Sequence, residues 1–490
     1  MERHVLAIDE GTTGVRAMVF DSDTKLCGGA YEEIPASFPR PGWVEQDPLQ
    51  LWQATQRVVA QALRVANVSA SALAAVGLTN QRATTLVWDR RSGSPICPAI
   101  GWQDNRTAER ARELSERGFP LNSMAAATKL EWILRHHDGA VARAAAGELC
   151  FGTVDSWLAW RLSDGRVHVT DCSNASCSGL YDFAGSWDER TADALGIPLA
   201  MMPAIRPSSE RYGTTHRDVF GAVVPLAGMA GDQQAAMFGE LGTEPGAVKI
   251  TLGTSAMVDI NSGDTPVLSR HGAYPLILWM VNGESPWCLE GTVATAGAAV
   301  QWLRDGLGLL SSPRESETLA ASVADSAGVW AIPAFQGLGT PYMNPGASAV
   351  IGGLTRGSTR AHVVRAVLEG IAFRVRQVLE ALLEDTQTQR PEVLRVDGGA
   401  AANDFLLQTL ANVVGQPVER PEAIQASALG AAFLAGIAVG QWANVDEIRH
   451  TWRSGGIFEP AWNEDERETR FAAWRNAIAA ANFGGPTGSR

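Results

Sequence analysis

Leu6–Phe20 reads LAIDEGTTGVRAMVF, and Ala247–Ile260 reads AVKITLGTSAMVDI. Each stretch runs from an apolar segment through a Gly-Thr turn into a second apolar segment, which is the pattern of a β-hairpin. The return of one unit in the second half of the chain indicates two related α/β domains. Two unrelated hairpins would give the same pattern by coincidence, and that alternative stays open at this point.

The length of the chain supports more than one domain. A chain of 490 residues exceeds what one hydrophobic core usually organises, so two or three domains are expected. The loop-forming cluster GTEPG at residues 242–246 marks a boundary. We therefore predict an N-terminal domain over residues 1–246, a C-terminal domain over 247–455, and a C-terminal helix with a flexible tail over 456–490.

Composition excludes some classes of protein. The net charge of −13 argues against a nucleic-acid-binding protein, which needs a basic face to neutralise phosphates. The first residues lack a secretory pattern, and no run of about 18 apolar residues predicts a membrane span. The six cysteines are scattered without metal-ligand spacing, which favours reduced thiols over disulfides or a metal site. The expected location is the cytoplasm.

The first hairpin turn has the chemistry of a phosphate site. Asp9 ends an apolar strand, and Gly11-Thr12-Thr13 follows it. Exposed backbone N–H groups and threonine hydroxyls can donate to phosphate oxygens, and a carboxylate at a strand end can hold Mg²⁺. The alternative is a plain hairpin with a glycine turn.

A second candidate is Gly231-Asp232-Gln233-Gln234, which follows an apolar strand at Val223–Met229 and precedes a helix that we predict to start near Ala235. Phosphoryl transfer to an alcohol needs a carboxylate that accepts the hydroxyl proton, and Asp232 is the candidate base with Gln233 orienting the acceptor. The alternative is that Asp232 only caps the helix.

Further glycine turns complete the pattern. Gly253-Thr254-Ser255 repeats the first turn, so one phosphate chain could be held from both halves. Gly398-Gly399-Ala400 follows the apolar strand Val393–Val396 and precedes a predicted helix, an arrangement that presents backbone N–H groups to phosphates. The chain contains no GxxxxGK[ST] motif, so a Walker-type nucleotide site is excluded.

Two side chains are candidates for the acceptor pocket. Arg82 follows the predicted strand Ala74–Gly77 and could bind hydroxyls through its planar fork, although a strand-end salt bridge would account for it equally. Trp102 could form an apolar wall for a carbon chain, whereas core packing is the commoner role of a single tryptophan.

Longer stretches resemble the FGGY carbohydrate kinases, and within that family the glycerol kinases. They cover nearly the whole chain and include GLTNQRATTLVWD at 77–89, WQDNRTA at 102–108, ATKLEWIL at 127–134, VHVTDCSNAS at 167–176, AGDQQAAMFG at 230–239 and LRVDGGAAANDFLLQ at 394–408. The resemblance implies two actin-like (ribonuclease-H-like) ATPase domains with a cleft between them, an activity that uses ATP and Mg²⁺, and a small polyol or sugar acceptor. It leaves open a homodimer or a homotetramer.

The resemblance also implies roles for individual residues. Asp232 would be the catalytic base, and Asp9 and Asp232 would be associated with the metal. The acceptor would be bound by Arg82, Ala83, Trp102, Met124, Asp232, Gln233 and Met257. ATP would be bound by Thr12, Thr13, Arg16, Thr254, Gly297, Gln301, Gly399 and Asn403.

This chain departs from the glycerol kinase pattern at three of these positions. Ala83 stands where a glutamate is typical, Met124 where a tyrosine is typical, and Met257 where an aromatic residue is frequent. The changes remove a carboxylate and a phenol, so the predicted pocket is roomier and less polar. The loop TTHRDVFG at 214–221 also lacks the Gly/Arg pattern that bacterial glycerol kinases use to bind a sugar bisphosphate inhibitor.

Glycerol is thus the leading acceptor, and several alternatives remain. A longer polyol or a keto-sugar, such as erythritol, xylitol or a ketose, is the first. A non-catalytic sugar or nucleotide sensor on the same fold is the second, although such a protein would be expected to lose the base. An actin-like or heat-shock-type ATPase is the third, and the GDQQ and NQR segments argue against it.

Overall fold

The structure is a computed structural model that describes residues 4–422 and 425–483. The chain divides into two compact units. The first comprises Met1–Leu241, Ile277–Ser285 and Ala426–Trp452, and the second comprises Gly242–Leu276, Pro286–Gln425 and Arg453–Arg490. The predicted tail at Gly484–Arg490 lies outside the described residues.

Strands and helices alternate along the chain, as expected for an α/β protein. The strands are β1 His4–Glu10, β2 Gly14–Phe20, β3 Leu26–Glu33, β4 Glu45–Gln46, β5 Leu73–Asn80, β6 Leu86–Asp89, β7 Ala99–Ile100, β8 Leu149–Gly152, β9 Val169–Asp171, β10 Ala204–Arg206, β11 Arg211–Thr214, β12 Pro225–Gly231, β13 Val248–Leu252, β14 Ala256–Gly263, β15 Tyr274–Ile277, β16 Trp287–Val293, β17 Trp330–Ile332, β18 Val350–Gly352, β19 Leu394–Asp397, β20 Val418–Pro421 and β21 Ser454–Phe458. The α-helices are α1 Pro48–Ala66, α2 Ala108–Glu116, α3 Ala126–His136, α4 Ala140–Ala145, α5 Val154–Leu162, α6 Cys172–Ser176, α7 Glu189–Leu195, α8 Arg217–Phe220, α9 Asp232–Gly239, α10 Gly297–Asp305, α11 Glu315–Ala321, α12 Arg360–Thr386, α13 Asp404–Val414, α14 Ala426–Val439, α15 Val445–Arg449 and α16 Glu464–Phe483. Short 3₁₀ turns lie at Ala70–Ala72, Leu199–Met201 and Gly399–Ala402.

The two units contain the same sheet, which confirms the predicted repeat. In the first unit the order is β3-β2-β1-β5-β12-β11, and in the second the order β16-β14-β13-β19-β20-β21 occurs with β15 added beyond β16. Read in these orders, both sheets pair antiparallel, antiparallel, parallel, parallel and antiparallel. Coincidence between two hairpins does not account for a match across every strand pair of the repeated sheet.

The central strands are apolar because both of their faces are covered. Val5, Leu6, Ala7 and Ile8 of β1 are completely buried, and Val248, Lys249 and Ile250 of β13 are at most 4% exposed in the second unit. A strand buried on both faces reads as a continuous apolar run rather than as an alternation. This explains why β1, which was expected to end at Asp9 and extends to Glu10, could be recognised from sequence.

The boundaries of the helices follow local signals. Helix α1 begins at Pro48, because Asp47 accepts a hydrogen bond from Leu49 N (2.8 Å) and proline occupies the first helical position. The helix predicted to start near Ala235 begins at Asp232 instead, and β12 before it ends at Gly231 rather than at Met229.

Helix α14 packs in the first unit, although it lies late in the chain. Glycines allow its backbone to approach closely: a Cβ on Gly430 would lie 1.8 Å from Ala235 O, and a Cβ on Gly77 of β5 would lie 2.3 Å from Ala431 O. The predicted division at 246 and 455 follows chain order, whereas the compact units do not. That division therefore stays a proposal about domains along the sequence.

Within the described part of the chain, several features are absent. No helix there is long and apolar enough to cross a membrane. No group of three or more His, Cys, Asp or Glu side chains among residues 4–422 and 425–483 is arranged to hold a metal ion. All six cysteines belong to the described residues and are free thiols.

The first unit contains a histidine whose titration should be visible in stability. Burial lowers the pKa of His168 to about 4, and its Nε2 donates to Phe151 O (2.8 Å) while the ring packs edge-on against Trp88. Because the folded pKa lies below the ordinary value of 6.5, the unfolded chain gains a proton first as the pH falls. We expect stability from this group to be present above about pH 6.5 and to be lost between there and about pH 4.

Urea unfolding of the wild type and His168→Gln between pH 7 and pH 4.5 measures this effect. The difference between their free energies of unfolding should change steadily across this range in the direction that disfavours the wild type at low pH. Asp155, whose burial raises its pKa to about 6, has the opposite effect on stability as the pH falls. Because it is present in both proteins, its contribution cancels in the difference between them. The exposed His136, which also bonds a carbonyl, gives the control His136→Gln. Parallel pH curves for the wild type and His168→Gln would contradict the prediction.

Candidate active site

The first Gly-Thr turn is a tight hairpin turn between β1 and β2. Gly11 N donates to Gly14 O (2.9 Å), which closes the turn. Thr12 is half-buried, and Thr13 is exposed to solvent. Ile34 N donates to Thr13 O (3.0 Å) and ties the turn to the segment after β3. The turn therefore has a fixed backbone and accessible side chains, as a phosphate-binding loop requires.

Gln81 connects this turn to Trp102, which is predicted to bind the acceptor substrate. It is buried, and its side chain donates to Gly11 O (3.2 Å) and accepts from Thr84 Oγ1 (3.0 Å). Thr84 Oγ1 in turn accepts from Trp102 N (3.2 Å), and Trp102 Nε1 donates to Thr12 Oγ1 (2.9 Å). The structure thus brings Thr12 and Trp102 into direct contact. Trp102 is half-buried beside the turn instead of being enclosed in a core.

The acidic pair at the end of β1 is deeply buried. Asp9 Oδ2 accepts from Arg16 Nη1 (3.4 Å) and from Ser427 Oγ (3.0 Å). Burial raises the pKa of Asp9, and both partners lower it. Glu10 is completely buried and bonds Thr55 Oγ1 (3.3 Å), and its burial raises its pKa well above the ordinary value. Asp9 therefore has two polar partners beside the turn, whereas Glu10 belongs to the core.

Asp232 is the first residue of α9, and Gly231 is the N-cap, so the capping role considered from sequence falls to Gly231. Its carboxylate is about one third exposed and pairs with Arg82 Nε at 3.2 Å. Gln233 N also donates to Asp232 Oδ1 (2.8 Å). The positive end of the helix dipole and the guanidinium both favour the ionised carboxylate. An accessible, oriented carboxylate of this kind can accept a proton from a hydroxyl.

Arg82 and Ala83 follow directly after the end of β5. The Arg82 side chain is largely buried, with Nη1 3.7 Å from Cys177 Sγ. Its pairing with Asp232 is the strand-end salt bridge considered from sequence, and its contact with an acceptor stays a prediction. Ala83 has a left-handed backbone (φ 60°) and is nearly buried against a satellite apolar cluster that includes Val87 and Ile100. At this position the chain presents a methyl group where a carboxylate is typical of the resembling proteins.

A buried lysine connects Trp102 and Met124, two residues predicted to bind the acceptor substrate. Lys129 of α3 is fully buried, and its Nζ donates to Trp102 O (3.2 Å) and to Met124 O (2.7 Å). Burial lowers its pKa to about 7, while the Asp104 carboxylate raises it. Asn122 Oδ1 accepts from Met124 N (2.9 Å) and fixes the same turn from the other side. The Met124 side chain itself is exposed.

Lys129→Met should raise the KM for the acceptor by up to about 10-fold, with a smaller effect on the KM for nucleotide. The variant leaves the carbonyls of Trp102 and Met124 without their shared donor, and one such hydrogen bond contributes about 0.5–1.5 kcal/mol. Steady-state kinetics with varied acceptor measures the change. Thr128→Val, which removes the neighbouring hydroxyl that bonds Thr107 Oγ1 (2.8 Å), is the matched control on α3. An unchanged acceptor KM in Lys129→Met would contradict the prediction.

The second Gly-Thr turn lies between β13 and β14 in the second unit. The start of α10 packs directly on it: Gly297 N donates to Gly253 O (2.9 Å), and Ala296 N donates to Thr254 O (3.0 Å). A Cβ on Gly297 would lie 2.6 Å from Gly253 O, so only glycine fits there. Thr254 and Gln301 are exposed, and Met257 Sδ accepts from Thr292 Oγ1 (3.6 Å).

The glycine turn after β19 lies next to the same hairpin. Asp397 Oδ1 accepts from Thr251 Oγ1 (2.5 Å) across the parallel pair β13 and β19. Gly398 has φ 91° and lies against Leu252 O, whereas Gly399 is exposed with open space around its Cα. Asn403 caps α13 by accepting from Leu406 N (2.9 Å) and donates to Ser316 Oγ (3.1 Å). The structure therefore gives Asn403 a capping role, and its contact with the nucleotide stays a prediction.

The predicted site residues therefore form two groups, one within each unit. The first unit contains ten of the predicted residues: Asp9, Thr12, Thr13, Arg16, Arg82, Ala83, Trp102, Met124, Asp232 and Gln233. The second unit contains the other predicted residues: Thr254, Met257, Gly297, Gln301, Gly399 and Asn403. Sequence reasoning missed Gln81 and Lys129. The lysine of ATKLEWIL was the available signal for Lys129.

Comparisons with known proteins agree with this geometry. A model described as the FGGY family of carbohydrate kinases, N-terminal domain, matches residues 4–239, and the model for the C-terminal domain of that family matches residues 248–439. The chain is 45% identical to a glycerol kinase of Petrotoga mobilis, over 98% of this chain and 99% of that protein. It is 48% identical to a glycerol kinase of Dechloromonas aromatica, over 97% of each chain.

Solved structures give the same result. The structure of Plasmodium falciparum glycerol kinase with ADP matches with a TM-score of 0.91 and 28% identity, over 98% of each chain. Gluconate kinase from Lactobacillus acidophilus matches with a TM-score of 0.86 at 21% identity, over 98% of this chain and 99% of that one, which shows the shared fold.

Proposed function

Because this chain belongs to the FGGY family of carbohydrate kinases, we propose that it transfers the γ-phosphoryl group of ATP to a terminal hydroxyl of glycerol, forming glycerol 3-phosphate. The observation that carries the proposal is the accessible Asp232 carboxylate, held by Arg82 at 3.2 Å at the start of α9. Near full-length relatives named glycerol kinase support the choice of acceptor.

The acceptor is bound by the first unit. Asp232 accepts the proton of the reacting hydroxyl as that oxygen attacks the γ-phosphorus, and Gln233 helps to orient the acceptor. The guanidinium of Arg82 holds the carboxylate and donates to acceptor hydroxyls. Trp102 supplies an apolar wall for the carbon chain, fixed by its hydrogen bond to Thr12 Oγ1. Ala83 and Met124 of the same unit are assigned to the rim of the pocket.

The nucleotide is bound by two sets of donors. Thr12, Thr13 and Arg16 of the first unit donate to phosphate oxygens, as their turn geometry allows. In the second unit, Thr254 and the tightly packed Gly297 present the matching turn. Phosphate, ribose and adenine are assigned to residues that also include Gln301, Gly399 and Asn403. This assignment rests on the family resemblance and on the exposure of Thr254, Gln301 and Gly399.

Mg²⁺ would supply charge neutralisation on the phosphates of ATP. This ion usually keeps several waters and takes one or two carboxylates together with phosphate oxygens. Asp9 fits that demand, since it is a buried carboxylate beside the phosphate turn whose raised pKa a nearby cation would lower. Asp232, which is partly exposed, is the second candidate. A site of this kind does not require a cluster of three acidic side chains.

A panel of acceptors tests the proposal. ATP-dependent phosphorylation is measured with glycerol, erythritol, xylitol, dihydroxyacetone and common ketoses, with product identified by mass. We expect the highest kcat/KM with glycerol. A higher value with a longer polyol or a ketose would replace glycerol as the acceptor and keep the kinase. Binding of acceptor without phosphorylation of any member would support the non-catalytic sensor instead.

A longer polyol is the second candidate, and a specific feature favours it. Ala83 ends in a methyl group and Met124 in a thioether that is exposed, so neither offers a hydroxyl-binding group at its position. The space and the lower polarity would suit one more hydroxymethyl unit. The erythritol arm of the panel distinguishes the two acceptors.

A further inference from the structure

A buried polar cluster lies directly beneath the proposed base and its arginine. The cluster consists of Asn80, Asp171, Ser173, Asn174 and Ser208, each at most 1% exposed. Three of its members belong to the stretch VHVTDCSNAS, to which the proposed mechanism assigns no role. Asp171 ends β9, and Ser173 and Asn174 lie in the short helix α6 that follows.

Asp171 is the centre of the cluster. Its Oδ1 accepts from Ser173 Oγ (3.0 Å), Asn174 N (2.9 Å) and Asn174 Nδ2 (3.0 Å). Its Oδ2 accepts from Ser173 N (3.0 Å) and Ser208 Oγ (2.7 Å). Burial raises the pKa of this carboxyl, and these hydrogen bonds lower it. Capping α6 would need only the two backbone donors, so the side-chain bonds serve another purpose.

N–H groups donate to both oxygens of Asp171, so this side chain acts as an acceptor and sets the direction of the other bonds in the cluster. The hydroxyl proton of Ser173 points at Asp171, which leaves its lone pairs for Gly231 N, the donor at 2.9 Å. The amide nitrogen of Asn174 donates to Asp171 and to Asn80 Oδ1 (3.2 Å). The Asn174 oxygen then accepts from Asn80 Nδ2 (3.1 Å).

The cluster holds two residues that lie close in sequence to the proposed base and its arginine. Gly231 directly precedes Asp232, and Asn80 precedes Gln81 and Arg82 at the end of β5. Gly231 and Arg82 also touch: a Cβ on Gly231 would lie 2.7 Å from the Cγ and Cδ atoms of Arg82. A displacement of Gly231 would therefore move both the carboxylate and the guanidinium that holds it.

We propose that Asp171, Ser173 and Asn174 are positioning residues that fix Asp232 and Arg82 in the geometry needed for proton acceptance. The inference rests on the proposed role of Asp232 as the base, and it adds residues that do not touch the substrate. It specifies that the hydroxyl of Ser173 acts on the rate of the chemical step through Gly231 N, and that the stretch around Asp171 is more than a helix cap.

Ser173→Ala tests this, and the chain offers a closely matched control. Ser178 is also buried, and it also donates to an oxygen (Ala175 O, 2.6 Å) and accepts from a backbone N–H (Leu180 N, 3.0 Å), but with partners in its own segment. Ser173→Ala should lower kcat by about 10- to 100-fold, the scale of a misplacement of about 1 Å at a reacting group. Ser178→Ala should keep wild-type kcat. The melting temperatures of both variants should fall by similar amounts.

The assay uses the acceptor that the wild type prefers in the panel, so a wrong choice of glycerol does not affect it. The pH profile of kcat separates positioning from general damage, because the acid limb reports the base in the ternary complex. We expect this limb to shift in Ser173→Ala and in Asp171→Asn, with the KM for ATP unchanged. Equal kcat values and superimposable pH profiles for Ser173→Ala and Ser178→Ala would overturn the inference while leaving the kinase assignment intact. Loss of the acid limb in Asp232→Asn checks the base independently.

Discussion

Asp232→Asn is expected to lower kcat by about 10²–10⁴-fold while leaving nucleotide binding nearly unchanged. The amide cannot accept the proton that the reacting hydroxyl must lose, and its pairing with Arg82 Nε at 3.2 Å loses the negative partner. Both effects act on the chemical step and the acceptor. Single-turnover phosphorylation at saturating ATP, together with a nucleotide titration by calorimetry, measures the two quantities separately.

A conservative substitution at another helix start provides the control for this variant. Asp188 caps α7 by accepting from Thr191 N (3.2 Å), and asparagine caps helices about as well as aspartate. Asp188→Asn should therefore keep both activity and stability. If Asp232→Asn turned over at close to the wild-type rate, Asp232 would have to be removed from the role of base.

Ala83→Glu is expected to raise kcat/KM for glycerol by about 10- to 100-fold and to lower it for any four- or five-carbon polyol. A hydrogen bond to a charged group contributes about 1.5–3 kcal/mol, and about 1.4 kcal/mol corresponds to a factor of ten. The left-handed backbone at Ala83 (φ 60°) already carries a Cβ, so the substitution adds no new backbone strain. The longer side chain would also occupy the space that a further hydroxymethyl unit needs.

Ala83→Gln is the matched variant, because it has nearly the same volume without the charge. Volume should decide the rejection of erythritol, so both variants should reject it equally. The charge should decide the gain with glycerol, so only the glutamate variant should show that gain. The panel assay gives both values under one set of conditions. No change in glycerol efficiency with Ala83→Glu would mean that this position does not select the acceptor in this chain.

Local residue patterns accounted for much of the first unit's site. The apolar residues of β1 before Asp9 are buried on both faces, so the strand and the glycine turn could be located, although β1 extends to Glu10. Asp232 could be proposed as the base because a lone carboxylate followed a buried strand. The start of α9 could not be placed correctly, since Gly231 rather than the aspartate acts as the cap. The role of the base itself stays a prediction until the variants are measured.

Contacts between distant segments were beyond the reach of these patterns. Ser427 bonds Asp9 across more than 400 positions (3.0 Å), and α14 joins the first unit although it follows most of the second in sequence. Neither contact produces a periodic pattern in the sequence. Both depend on how α14 packs in three dimensions, where glycines let backbones approach closely. Lys129 likewise acquires its role only when Trp102 O and Met124 O are brought to one nitrogen.

The sequence by itself determined the repeated hairpin, the α/β class and the family, since these depend on residue order and on local hydrophobic periodicity. The tertiary structure alone decided how the hydrogen bonds around Asp171 are directed and which main-chain groups they hold. The physical reason is that a buried polar group must find its partners in space. Asp171, Gly231 and Asn80 are far apart along the chain. Only folding brings them into one network, whose hydrogen bonds are 2.9 to 3.2 Å long.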